Sequence, residues 1–81
     1  MGHLPLSEVL GAQVKRLRHQ AGMTQADLSE RSGLFRTHLS RIECGSANPS
    51  LDAIVAIARA LDTNPGALFL EAGSAAVSGK R

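Results

Sequence analysis

Residues Gln25 to Ile42, QADLSERSGLFRTHLSRI, constrain this chain more than any other stretch. Their apolar residues recur at helical rather than alternating spacing, and Gly33 interrupts them. They therefore read as two short helices joined by a tight turn. In the second helix Leu39 and Ile42 share one face at about 100° per residue, and Phe35 just before it is expected to point the same way. Thr37, Ser40 and Arg41 lie opposite, with Arg36 on the flank. Serine and threonine are mediocre helix formers, so propensity does not explain them there. Short polar groups and arginines on an open helix face suit close approach to another surface, and a major groove is one such surface. An ordinary solvated face is the competing account.

The remaining elements follow from caps and periodicity, and no strand is expected. Leu10, Val14, Leu17 and Ala21 recur at helical spacing from about Ser7, the expected cap, to Ala21, and Gly22 ends that helix. Thr24 caps the next helix, with Asp27 three residues on as its reciprocal partner. The third helix spans about Arg36 to Glu43 and stops at Gly45. Ser50 caps a fourth, Leu51 to Leu61, so apolar that Ile54, Ile57, Ala58 and Leu61 are assigned to a core. A short fifth begins at Asn64-Pro65, with proline suited to the first helical position. The expectation is one all-α, five-helix domain over residues 1–71 and a flexible Gly/Ala/Ser tail over residues 72–81.

A chain of 81 residues makes one small domain. Such a domain buries only about 60% of its unfolded surface, so help from a second subunit is expected on stability grounds. The formal charge is only +2, yet Lys15, Arg16, Arg18, Arg31, Arg36 and Arg41 all precede Gly45, which leans towards a polyanion partner. Phe35 and Phe69 are the only aromatics, too few for the stacking platforms of single-strand binders, so duplex DNA is the better polyanion. No apolar run reaches the roughly eighteen residues of a membrane span, and MGHLPLSE lacks the features of a signal peptide. Cys44 stands alone, which excludes an intrachain disulfide and favours a reducing cytoplasm. His3, His19 and His38 have no metal-gathering spacing, and no nucleophile–base pair, paired carboxylates or phosphate loop is present. No metal, no cofactor and no enzymatic activity are expected.

From roughly Leu10 to Phe69 the chain resembles the Cro/repressor-type helix-turn-helix proteins, the XRE family, whose fold is lambda-repressor-like. The resemblance is carried by Arg18 four residues before Gly22, MTQADLS (Met23 to Ser29), Gly33, HLSRIECG (His38 to Gly45) and NPSLDAIVAIARAL (Asn48 to Leu61). In length and general likeness it is also similar to restriction-modification controller proteins, which are short dimeric regulators. The resemblance implies a regulator of transcription that binds a palindromic duplex operator as a homodimer. Arg36, Thr37, Ser40 and Arg41 then occupy base-facing positions, where arginine can hold guanine O6 and N7 and the threonine methyl can meet a thymine methyl. Gln25 matches a glutamine that contacts phosphate and braces the recognition helix. Thr24, His38, Ser46 and Asn48 complete the expected phosphate contacts.

Arg18 and Glu43 match an internal salt bridge between the first and third helices, assigned to structure rather than chemistry. Leu68, Phe69 and Leu70 match the region that forms the subunit contact, although Phe69 could instead close the small core. The chain departs from the family at Phe35, where Ser or Thr usually caps the recognition helix, at Cys44, where a basic residue or asparagine is common, and at Ser29. Two rival functions stand beside this one. In the first, residues 73–79 link a DNA-binding fragment to a larger sensor-regulator. In the second, the fold serves an antitoxin or adaptor as a protein-interaction module, and Arg36 and Arg41 argue against that.

Overall fold

A computed structural model describes residues 5–70; the expected tail at 72–81 and His3 lie outside the described residues. Four α-helices, α1 (Leu6–Gln20), α2 (Gln25–Ser32), α3 (Arg36–Glu43) and α4 (Leu51–Ala60), are followed by one 3-10 helix, Pro65–Phe69. The described residues contain no strand. The expected fifth helix is thus a single 3-10 segment, too short to sustain α-helical bonding.

Local chemistry sets most boundaries. Thr24 and Asp27 form the reciprocal box: the Asp27 N–H donates to Thr24 Oγ1 at 3.0 Å and the Thr24 N–H donates to Asp27 Oδ2 at 2.9 Å. Ser50 Oγ accepts from the Ala53 N–H, and Asn64 Oδ1 from the Ala67 N–H. The start of α1 differs from expectation. Ser7 lies inside the first turn, and the Pro5 carbonyl takes the leading N–H groups of Glu8 and Val9. Pro5 caps the helix through its backbone alone (φ −57°, ψ 145°), with no side-chain acceptor.

Three helices close with one bonding pattern, in which the second residue past the cap donates to the carbonyl five residues back. The pairs are Met23 to Arg18 in α1, Ser46 to Arg41 in α3 and Thr63 to Ala58 in α4. Each closure needs one residue in the left-handed region. Gly22 and Gly45 supply it for α1 and α3, but after α4 the position is held by Asp62, at φ 60°. Aspartate is among the few side chains that tolerate this region.

α1 packs across α3 and the 3-10 helix, while α2 and the 3-10 helix pack on α4. Val14, Leu28, Leu39, Ile42, Ile57 and Leu68 are the fully buried centre. Ile54 and Ala58 join them as expected, whereas Leu61 is only partly buried at the edge. Two expectations are corrected. Phe35 does not join Leu39 and Ile42 but is 82% exposed. Its backbone is extended (φ −67°, ψ 145°), so the helical 100° step does not reach it, and Leu34 takes the inward place instead. Leu68 is 0% exposed and belongs to the core, so it has no surface to give to a subunit contact.

Candidate nucleic-acid interface

The turn between α2 and α3 is built by short-range bonds. Gly33 ends α2 at φ 80°, where its N–H still donates to the Ser29 carbonyl at 2.9 Å. No atom crowds the space a Cβ would occupy there, so the requirement for glycine is one of backbone conformation alone. Ser29 Oγ donates to the Leu34 carbonyl, and the Leu34 N–H donates to Ser32 Oγ at 3.2 Å. The serine at position 29 therefore has a use: it ties the turn to the preceding helix.

The angle of α3 is set by a buried charged cluster. Arg18 Nε and Nη2 donate to the two oxygens of Glu43 at 2.7 and 3.0 Å, a bidentate pair with side chains 9% and 4% exposed. Arg18 Nη1 also donates to the Met23 carbonyl at 2.9 Å, so the loop after α1 is tied to the same guanidinium. Its bond to Glu43 raises the Arg18 guanidinium above its already high ordinary value, so it stays charged at any physiological pH. Gln25 completes the cluster: its Nε2 donates to Glu43 Oε1 at 3.1 Å. One carboxylate thus joins α1, α2 and α3.

With α2 and α3 held this way, Gln25, Arg36, Thr37 and Ser40 line one shallow surface depression. The structure therefore brings together three of the four expected base-facing residues and the expected phosphate-binding glutamine. Arg36 and Thr37 are exposed and Ser40 half-exposed. Arg41 is exposed on the same helix, one turn beyond Thr37, and does not line the depression. His38 is half-buried on the flank of α3. Thr24 is exposed at the start of α2, its hydroxyl oxygen accepting from the Asp27 N–H. Ser46 and Asn48 are exposed in the loop after α3, where Ser46 Oγ donates to the Arg41 carbonyl at 3.2 Å.

Two residues that position the site were missed from sequence. Gln13 is buried in α1: its Nε2 donates to the Ala67 carbonyl at 2.9 Å and its Oε1 accepts from Arg16 Nε at 3.0 Å. It falls three residues after Leu10, on the apolar stripe, and that placement was the signal. Gly11 sits inside a helix where alanine would be better by propensity, the usual mark of close backbone packing. No group of three or more potential metal ligands occurs among the described residues. None of their helices is long and apolar enough to cross a membrane.

Residues 9–72 match the family model described as a helix-turn-helix domain. The chain is 43% identical over 56 residues to an uncharacterized HTH-type transcriptional regulator, y4dL, of Sinorhizobium fredii, covering 69% of this chain but only 29% of that protein. It thus spans less than a third of that relative's length. Among solved structures it is similar to the restriction-modification controller protein C.AhdI of Aeromonas hydrophila, at 36% identity and a TM-score of 0.76, over 78% of this chain and 96% of that one. It is also similar to the controller protein C.Esp1396I, solved as a tetramer with its natural 35 base-pair operator, at 31% identity and a TM-score of 0.74, over 83% and 88% of the two chains.

Proposed function

Given that the chain belongs to the helix-turn-helix domain family of Cro/repressor type, we propose that it is a sequence-specific duplex DNA-binding regulator of transcription, acting as a homodimer on a two-fold operator. The observation that carries the reading is the single depression lined by Gln25, Arg36, Thr37 and Ser40. It puts a guanidinium and a threonine methyl and hydroxyl on the first turn of α3, the part of a recognition helix that reaches base edges, with a serine hydroxyl one turn on. Arg36 reads guanine or takes a flanking phosphate, and Thr37 and Ser40 read adjacent edges. Arg41 extends the contact one turn further. Gln25 and Thr24 at the start of α2, with His38, Ser46 and Asn48, take phosphates and fix register. A solved controller relative with its operator supports a DNA partner. The family is one of DNA-binding regulators, and no catalytic role is assigned to any residue.

The subunit contact falls to Leu70, 39% exposed, with Phe69 beside it and Val55 of the neighbouring α4. Leu68 supports it from within the core. Half-sites one helical turn, about 34–36 Å, apart are expected of a symmetric pair. Selection of the full chain against random duplex DNA, with its mass in solution measured alone and on the recovered site, tests the whole reading. A recovered palindrome bound by two copies is the expected result; an asymmetric site bound by one copy overturns the symmetric dimer. A second reading, in which the same domain serves as the DNA-binding part of a larger sensor-regulator over residues 1–71, draws support from its spanning only 29% of one relative.

A further inference from the structure

We propose that Phe35 is a specificity-determining residue, whose ring reads the C5-methyl group of a pyrimidine in the major groove; this rests on the DNA-reading assignment above. Phe35 occupies the cap position of α3, its carbonyl accepting from the Leu39 N–H at 3.0 Å. Its side chain accepts nothing, whereas α2, α4 and the 3-10 helix are each capped by a side-chain oxygen. An apolar ring therefore stands where an oxygen would stabilise the helix, and local stability does not account for it.

Nor does the core account for it, since the ring is 82% exposed. Its outward position is enforced. Leu34 packs on the core, and both its carbonyl and its N–H are held by serines of α2. Turning Phe35 inward would break both bonds and expose Leu34, because neighbours in extended backbone point to opposite sides. The ring is left at the N-terminal tip of the recognition helix, next in sequence to Arg36 and Thr37, which line the depression. Every other group proposed to face bases there is polar or carries only the small threonine methyl. On the major-groove edge of DNA the apolar feature is the pyrimidine C5-methyl, carried by thymine and equally by 5-methylcytosine. A large exposed ring at that tip matches this group and none of the hydrogen-bonding edges.

The test uses the full chain, Phe35→Ala and Phe35→Ser on the selected operator. Each thymine is replaced singly by deoxyuridine, which removes only the methyl, and each cytosine singly by 5-methylcytosine. At one thymine of each half-site deoxyuridine is expected to weaken the wild type about threefold to fivefold, the worth of one buried methyl. Both variants lose that sensitivity and respond like the wild type elsewhere. Phe35→Ser restores an acceptor at the cap, so its melting temperature is no lower than the wild type's and its loss cannot be ascribed to unfolding. A gain at a 5-methylcytosine with no loss at any deoxyuridine assigns the ring to the methylated base. A wild type indifferent to every methyl, or variants that keep its sensitivity, overturns the proposal and leaves DNA reading intact. The same holds if the variants change only the oligomeric state, which would make Phe35 a protein contact. Failure to select any sequence overturns both readings.

Discussion

Gly11, in the middle of α1, lies so close to the carbonyl oxygen of Ile42 that a Cβ at position 11 would overlap it. The Glu43 carbonyl oxygen stands only 2.9 Å from the same point. The two helices therefore meet backbone against backbone at the C-terminal end of α3. Two turns further along α1, on the same face, Arg18 meets the Glu43 carboxylate. The close approach and the ion pair together fix the pose of the helix that carries Arg36, Thr37 and Ser40.

Gly11→Ala separates packing from propensity. Alanine inside a helix ordinarily stabilises by about 0.5–1 kcal/mol over glycine. Here the added methyl must push α3 away, and a loss of about 1–3 kcal/mol is expected. Urea denaturation gives the sign directly; a stabilised variant would refute the backbone contact.

Removing one partner of the buried pair should be severe. Glu43→Ala leaves the Arg18 guanidinium charged and unpaired in a site where its side chain is 9% exposed. A loss of about 3–5 kcal/mol is expected, a large part of the stability of a domain this small. Gln25→Ala removes only one bond to the same carboxylate and should cost about 0.5–1.5 kcal/mol. Chemical denaturation of both variants checks the ranking, and equal losses would remove the pair from its central place.

On DNA the ranking should reverse in kind. Arg41→Ala is expected to weaken the preferred site by about 1–3 kcal/mol and to relax choice at one base position, and Arg36→Ala, whose guanidinium reads guanine or takes a phosphate, to weaken that site as well. Gln25→Ala should weaken all sequences alike. Binding measured on the operator and its single-base variants separates the two patterns. Uniform losses for all three variants would abolish the division between base readers and phosphate anchor.

Asp27 gives the start of α2 a pH dependence. The Thr24 backbone N–H, and then its hydroxyl, hold the Asp27 carboxyl below its ordinary value. A carboxyl lowered on folding contributes stability above its unfolded value, and that contribution disappears as pH falls through the lowered folded value. Melting temperature should therefore fall more steeply with acid in the wild type than in Asp27→Asn, which keeps an acceptor but does not titrate. Parallel acid profiles for the two proteins would count against the charged cap.

Spacing along the chain is enough to settle the four α-helices and where they stop, though not the 3-10 form of the last segment. Caps such as Thr24 with Asp27, Ser50 and Asn64 bond to N–H groups three residues on, and Leu39 and Ile42 repeat within one turn, so the controlling partners are near neighbours. The matched Arg18 and Glu43 and the polar face of α3 were legible too, because each stands within a compact motif. Tertiary structure decided what depended on residues far along the chain. Phe35 and Leu34 are both apolar, and only the packed core selects which one turns inward. Leu68 could have served a partner until the core claimed it, and the fit of Gln13 to Ala67 spans 54 positions. Gly11 is required only because α3 arrives against it. Hydrogen bonds within a turn are set by spacing, whereas burial depends on how closely distant helices approach, and that is fixed only when all of them pack at once.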